Sequence, residues 1–232
     1  MSENTLILTE ENGILRLTMN APSNNLMTAD FFAQYEDIMA QVEKKAQSGD
    51  NIKGFIICGG GRHFSTGADV EALADRSAKE AYDETTGTLP AGHIKQKHFF
   101  TFLRSLPFPV ISVVTGFCIG SGSEIAVNSH YRIIEKNARV GQPESTFGIL
   151  PALGGVARTI DICGMQNAYE LVMSGELIPA DKAYEIGWAD IFADKKQGIP
   201  EAEALIRYIS DNGGFSPEKA RELINGYKNS KG

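Results

Sequence analysis

Short apolar runs that stop at glycine constrain this chain most. Gly54-Phe55-Ile56-Ile57-Cys58 runs into Gly59-Gly60-Gly61, and Val110 to Val114 ends at Gly116. Brief, continuously apolar runs suit buried strands. Between them lies a stretch with helical spacing. Thr28 can cap it, Phe31, Tyr35, Ile38 and Val42 recur along it, and Gly49-Asp50 ends it. Alternation of β and α predicts an α/β fold. Ahead of it, Leu6–Thr9 and Ile14–Met19 alternate around Glu11-Asn12-Gly13 and predict a hairpin. Tyr131–Ile134 predicts a further strand. Ile94, Phe99, Phe102, Leu103 and Leu106 predict a helix with a heavy apolar face, stopped by Pro107 and Pro109. From about Leu153 helices dominate: Val156–Ile162, closed near Gly164, then Ala168–Met173 and Ala180–Ile186. Ala202–Ile209 and Pro217–Tyr227 are amphipathic, with little chain left to cover their apolar faces. Trp188 is expected in the core.

A chain of 232 residues with net charge −7 is not built as a general nucleic-acid or membrane-surface binder, although a local basic patch could hold an anion. Cys58, Cys118 and Cys163 are odd in number and widely spaced. They read as buried free thiols of a reducing compartment. With no signal-peptide pattern and no apolar run of membrane-spanning length, a cytoplasmic location is expected. His63, His93, His98 and His130 show no metal-ligand spacing. Gly59-Gly60-Gly61 invites a phosphate-loop reading but fits neither common pattern, so a flexible turn is expected. Gly120-Ser121-Gly122 resembles a dinucleotide turn, but Ile125 stands where a small residue is needed. Arg76–Gly92 is polar and reads equally as a lid or as a plain surface loop.

Two carboxylates each follow a glycine-bearing turn. Glu124 comes after Gly120-Ser121-Gly122-Ser123, and Glu144 ends Gly141-Gln142-Pro143-Glu144, twenty positions later. Ser121 or Ser123 can cap a helix whose free N–H groups and dipole suit an anionic oxygen. Pro143 stiffens the support of Glu144. Either glutamate alone reads as a first-turn surface residue. As a pair they are candidates for acid–base work.

Gly116, Gly120, Gly122 and Glu124, with Gly141-Gln142-Pro143-Glu144, Gly148, Pro151 and Gly154-Gly155, resemble the crotonase superfamily, also called the enoyl-CoA hydratase/isomerase family. Phe64-Ser65-Thr66-Gly67-Ala68-Asp69-Val70 resembles the family's other signature, and the similarity runs to about Ile191. The resemblance implies a spiral of ββα units forming two packed sheets over residues 1–192. A helical C-terminal region over 193–232, shorter than usual for the family, would follow. It implies an oxyanion hole from the backbone N–H groups of Ala68 and Ser121, with Gly67, Asp69 and Gly120 against the substrate.

The implied substrate is an acyl thioester of coenzyme A, and CoA enters only as part of it, so no cofactor is expected. The implied reaction is hydration of a 2-enoyl-CoA by a hydro-lyase. Glu124 would act as base on the water and Glu144 as proton donor to the α-carbon. No metal is required, because the polarised β-carbon is already electrophilic. Isomerase, decarboxylase or carrier-protein dehydratase chemistry, or a non-catalytic acyl-CoA-binding role, stays open. Arg62 is the candidate for CoA phosphate, with Lys53 and His63 nearby. Asn20-Ala21-Pro22 lacks the usual basic residue, which admits an acyl carrier protein as partner. Ser121 and Ser123 stand in a turn usually richer in glycine, and Ala152-Leu153 replaces a glycine-containing pair. A homotrimer or hexamer is implied.

Overall fold

A computed structural model of the chain describes residues 5–69 and 91–231. The candidate lid and Val70 lie outside them, apart from the end of the lid segment. Strands β1 (Leu6–Glu11) and β2 (Ile14–Met19) form the expected hairpin, turning at Asn12 and Gly13, both at positive φ. β2 pairs in parallel with β4 (Gly54–Gly59), β4 with β6 (Val110–Val114), β6 with β8 (Tyr131–Glu135), and β8 with β11 (Ile191–Ala193). The result is a six-stranded sheet in the order β1-β2-β4-β6-β8-β11.

Both faces of this sheet are covered, which is why β6 and β8 are buried at every position and β4 at all but its last. Phe55 and Ile57 face a core shared with Phe31, Tyr35, Met39 and Val42 of helix α1 (Ala29–Ser48). Thr28 caps α1 by accepting the Phe31 N–H at 3.3 Å, and Gly49 ends it in the left-handed conformation. Ile56, Ile111, Val113 and Ile133 face the other way. Against them pack Leu205, Ile206 and Ile209 of one C-terminal helix (Gly198–Asp211) and Leu223, Ile224 and Tyr227 of the next (Ala220–Ser230). The apolar faces expected to be left for a partner are therefore buried on the chain's own sheet. This overturns the physical motive for self-association drawn from those helices. The exposed large apolar residues lie elsewhere, among them Phe147, Ile149, Leu150, Met165, Tyr169 and Met173.

A second layer carries the site. β7 (Phe117–Ile119) and β10 (Ile178–Pro179) flank β9 (Arg139–Gly141), and β3 (Leu26–Met27) pairs with β5 (Gly67–Ala68). A bridge between Ser65 and Cys118 joins the two pieces. Helix α2 (Ala91–Thr101) passes into a 3-10 turn at Phe102–Ser105, so the apolar segment before Pro107 is not one helix, and Ile94 is exposed rather than packed. Helix α3 (Ser121–Asn128) leaves β7 through Gly120. Helix α4 (Gly155–Ser174) fuses two predicted helices across a break at Gly164. A last short helix, Ala180–Glu185, precedes Trp188, which is fully buried.

Candidate active site

Sheet register makes the twenty-residue spacing of the two glutamates into proximity. Ile119 lies opposite Gly141, and the Gly120 N–H donates to the Gly141 carbonyl at 3.0 Å. The turn that starts α3 and the turn that carries Glu144 therefore leave the same edge together. Gly120 adopts φ 53° and ψ −125°, and a Cβ there would come within 3.3 Å of Glu144 Oε1. Gly67, at φ 86°, lies against it: a Cβ on Gly67 would meet the Ile119 carbonyl oxygen at 2.8 Å and Gly120 Cα at 3.7 Å. Only glycines allow this approach. Ala68 and Ser121 are the residues that follow them.

Neither serine caps α3, contrary to expectation. Gly120 is the capping residue, makes no side-chain cap bond, and Ser123 Oγ is buried with no partner among the described residues. The Ser121 N–H thus opens the helix without an intrahelical acceptor. The Asp69 N–H donates to the Met27 carbonyl at 3.1 Å. Because successive N–H groups of an extended strand point to opposite sides, the Ala68 N–H is turned away from β3.

Glu124 is 2% exposed. Its Oε1 accepts the Leu153 N–H at 2.7 Å and the Gly155 N–H at 3.0 Å, so it also caps α4. A Cβ on Gly155 would fall 2.9 Å from that oxygen and 2.7 Å from Gln142 Nε2. Burial pushes the Glu124 carboxyl up to about 8, with Glu144 adding repulsion. The two backbone donors and the Lys97 charge oppose the shift without cancelling it. Burial also raises Glu144, and its Oε2 is buried with no partner among the described residues. Two carboxyls close enough for one to raise the other are suited to hold one proton between them.

Several contributors carry no signal in the sequence. The Leu153 and Gly155 N–H groups bear no side-chain signature, although Gly154-Gly155 marks the place. Asn128 Nδ2 donates to the Glu124 and Leu153 carbonyls at 2.8 and 3.2 Å, holding both chains in register. Gln142 is fully buried beside the pair. Arg62 and His63, by contrast, line a separate cleft that shares no residue with the glutamates, and Lys53 lines another beside Arg16 and Arg207. Arg62 is thus not brought to the carboxylate site.

Among the described residues no helix is long and apolar enough to cross a membrane. The family model described as enoyl-CoA hydratase/isomerase matches residues 9–223. A short-chain-enoyl-CoA hydratase of Clostridium acetobutylicum is 29% identical over 227 residues, covering 97% of this chain and 82% of that protein. A crotonyl-CoA hydratase of Syntrophomonas wolfei is also 29% identical, covering 97% and 83%. An enoyl-CoA hydratase/isomerase structure from Xanthobacter autotrophicus superposes with TM-score 0.76 at 24% identity, over 98% of this chain and 81% of that one. With its fold, its glycine turns and its two glutamates in these places, the chain belongs to the enoyl-CoA hydratase/isomerase family.

Proposed function

We propose that the protein adds water reversibly to a 2-enoyl thioester of coenzyme A, giving the 3-hydroxyacyl thioester. The observation that best supports this is the pair of carboxyls near Gly120, Glu124 buried and Glu144 partly so, at the contact of Gly67 with Gly120 that precedes the Ala68 and Ser121 N–H groups. Those two donors receive the charge that develops on the thioester oxygen, a contribution worth about 10²–10³ in rate per donor. Glu124 takes a proton from water as its oxygen bonds to the β-carbon, and Glu144 gives a proton to the α-carbon. The pair carries one proton before and after.

The protonation state sets a direction for the resting site. With Glu124 pushed up to about 8, the proton rests on Glu124 at neutral pH. That is the state left after hydration and the state from which dehydration starts. Hydration first needs the proton moved to Glu144, and a water held between the carboxyls is the path. A second reading has one observation in its favour. Glu124 Oε1 is occupied by Leu153 and Gly155, which suits a structural Glu124 and an isomerase that uses Glu144 alone.

Turnover of 2-enoyl and 3-enoyl thioesters, on CoA and on acyl carrier protein, followed by mass, separates these readings. Gain of one water supports hydration. Interconversion at constant mass supports isomerisation. Absence of turnover and of α-proton exchange in heavy water would leave a binding protein.

Self-association supports the same site. Met165, Tyr169 and Met173 form an exposed stripe at helical spacing on α4, and Ser145 Oγ donates to the Met173 carbonyl, which joins that end to the Glu144 turn. This stripe with Phe147, Ile149 and Leu150 is the face for a homotrimer or a pair of trimers. Light scattering at micromolar concentration reads the mass, and a monomer would overturn it. The three buried free thiols fit a reducing compartment such as the cytoplasm.

A further inference from the structure

The Gly59-Gly60-Gly61 run takes no part in the carboxylate site. It opens instead onto a cleft of about 620 Å³ lined by Arg62, His63, Arg139, Lys195 and Lys196. We propose that this cleft is a second site, separate from the carboxylate site, for a small molecule carrying two or more linked phosphates. The inference rests on the cleft alone and does not depend on the hydratase reading.

Three observations carry it. The first is charge. In a chain of net charge −7, four cations converge from three distant segments, and none is paired with a carboxylate of a described residue. The one carboxylate in the lining, Glu135, is 6% exposed and accepts the Gly198 N–H at 3.0 Å. Lys136 and Asp194 pair with each other at 2.8 Å. Cations left together without counter-ions repel, and a polyanion relieves that repulsion.

The second is construction. A Cβ on Gly59 would strike the His63 carbonyl oxygen at 2.1 Å, and one on Gly116 would strike the Arg62 carbonyl oxygen at 2.2 Å. These glycines let residues 61–63 fold back onto the ends of β4 and β6. His63 Nδ1 accepts the Phe117 N–H at 2.9 Å, and its ring stacks on Phe117 with centroids 4.7 Å apart. Burial and Arg62 keep His63 neutral, so it is a fixed hydrogen-bonding group rather than a charge.

The third is position. The cleft opens at Phe117, where β7 begins, whereas the Ser121 N–H lies beyond its other end. The three residues of β7 and the turn at Gly120 separate them, a reach of up to roughly 13 Å. Fully buried Phe64, Ser65 and Cys118 lie between. Linked phosphates match four spread cations better than a single phosphate, because each Arg or Lys finds its own oxygens.

The test is titration calorimetry of the full chain at low ionic strength with pyrophosphate, ADP and inorganic phosphate. Pyrophosphate and ADP should bind at least tenfold more tightly than phosphate and weaken as salt rises. Arg139→Glu with Lys196→Glu should weaken them at least tenfold, while Lys136→Glu should leave them within twofold. Arg139→Gln with Lys196→Gln gives a gentler pair, and thermal melting confirms folding. Arg139→Glu should leave kcat and KM for a 2-enoyl-CoA within twofold. No binding, or binding indifferent to the Arg139 and Lys196 changes, overturns the proposal. So does a KM that rises for the CoA thioester but not for the corresponding pantetheine thioester, which would make the cleft part of the CoA site.

Discussion

Two of the places where this protein buries an ionisable group treat it in opposite ways. Arg132 is 2% exposed, and each arm of its guanidinium is engaged. Nε donates to the Trp188 carbonyl at 2.7 Å, Nη1 to the Ser129 carbonyl at 3.0 Å, and Nη2 to Asp190. Asp190 also accepts the Arg132 backbone N–H at 2.8 Å. Around Glu124 the arrangement is reversed. Two carboxyls share the site, and Ser123 Oγ, Asn128 Oδ1, Gln142 Nε2 and Glu144 Oε2 are buried without partners among the described residues. A charge that serves the fold is neutralised on every side. The proposed reaction asks for the reverse, polar groups left with capacity for a reactant.

The largest effects should separate the two places by their readout. Glu124→Gln and Glu144→Gln keep shape and remove the ionisable group, so each should lower hydration kcat by about 10²–10⁴ while the fold persists. The double variant should lose little more than either single one, because both act on one water. The check is loss of enoyl-thioester absorbance with mass confirming the product. Wild-type hydration by Glu124→Gln would remove Glu124 from the mechanism and favour the isomerase reading.

Arg132→Met should do the converse. It strands Asp190 and two carbonyls and should cost about 3–5 kcal/mol in denaturant unfolding, with kcat of the folded fraction nearly unchanged. A mild stability loss would show that the Arg132 cage is not as closed as its hydrogen bonds imply.

Acidity sharpens the contrast further. The Glu124 carboxyl is raised in the folded state, from an ordinary 4.5 to about 8, so folding favours its protonated form. Its contribution is fully present below about pH 4.5 and is lost as pH rises toward 8. Glu124→Gln escapes that loss while its amide oxygen can still accept from Leu153 and Gly155. Its stability relative to the parent should therefore climb between pH 5 and 8 and level off above, by roughly 2–5 kcal/mol. Thermal melting across pH measures this, and a flat difference would mean that the group is ionised at no cost. The parent's dehydration rate should fall above about pH 8, as Glu124 loses the proton it gives to the leaving hydroxyl.

The smallest effect belongs to Ser121→Gly. If the oxyanion donor is backbone, kcat should stay within a small factor of the parent. A large loss would make the serine hydroxyl a participant.

Local structure was legible wherever one residue's own chemistry decides the outcome. Thr28 starts α1 and Gly49 stops it by means that act within a turn. The resemblance singled out both glutamates, whose turns the fold brings to one strand edge. What stayed hidden is what each element faces. The amphipathic C-terminal helices were plain, but periodicity does not reveal that the covering surface is the chain's own β4, β6 and β8. Gly164 reads as a stop, yet at φ 77° and ψ 163° it is a break from which the helix resumes. Ser121 and Ser123 look like caps by propensity. Gly120 takes the position because close contact with Gly67 demands a backbone that serine adopts poorly. Leu153 and Gly155 serve through N–H groups that every residue but proline has, so no residue type could announce them.

The anchoring of Glu124 also has a chronology. Its two N–H partners come 29 and 31 residues later in the chain. Until Gly155 has been made and brought back, the carboxylate at Glu124 has neither donor, and sealing it away from water is unfavourable. The start of α4 therefore completes the setting in which the Glu124 side chain is buried. A nascent chain that has not yet reached Leu153 lacks both donors to Glu124, even once the strands from β1 to β8 have been made.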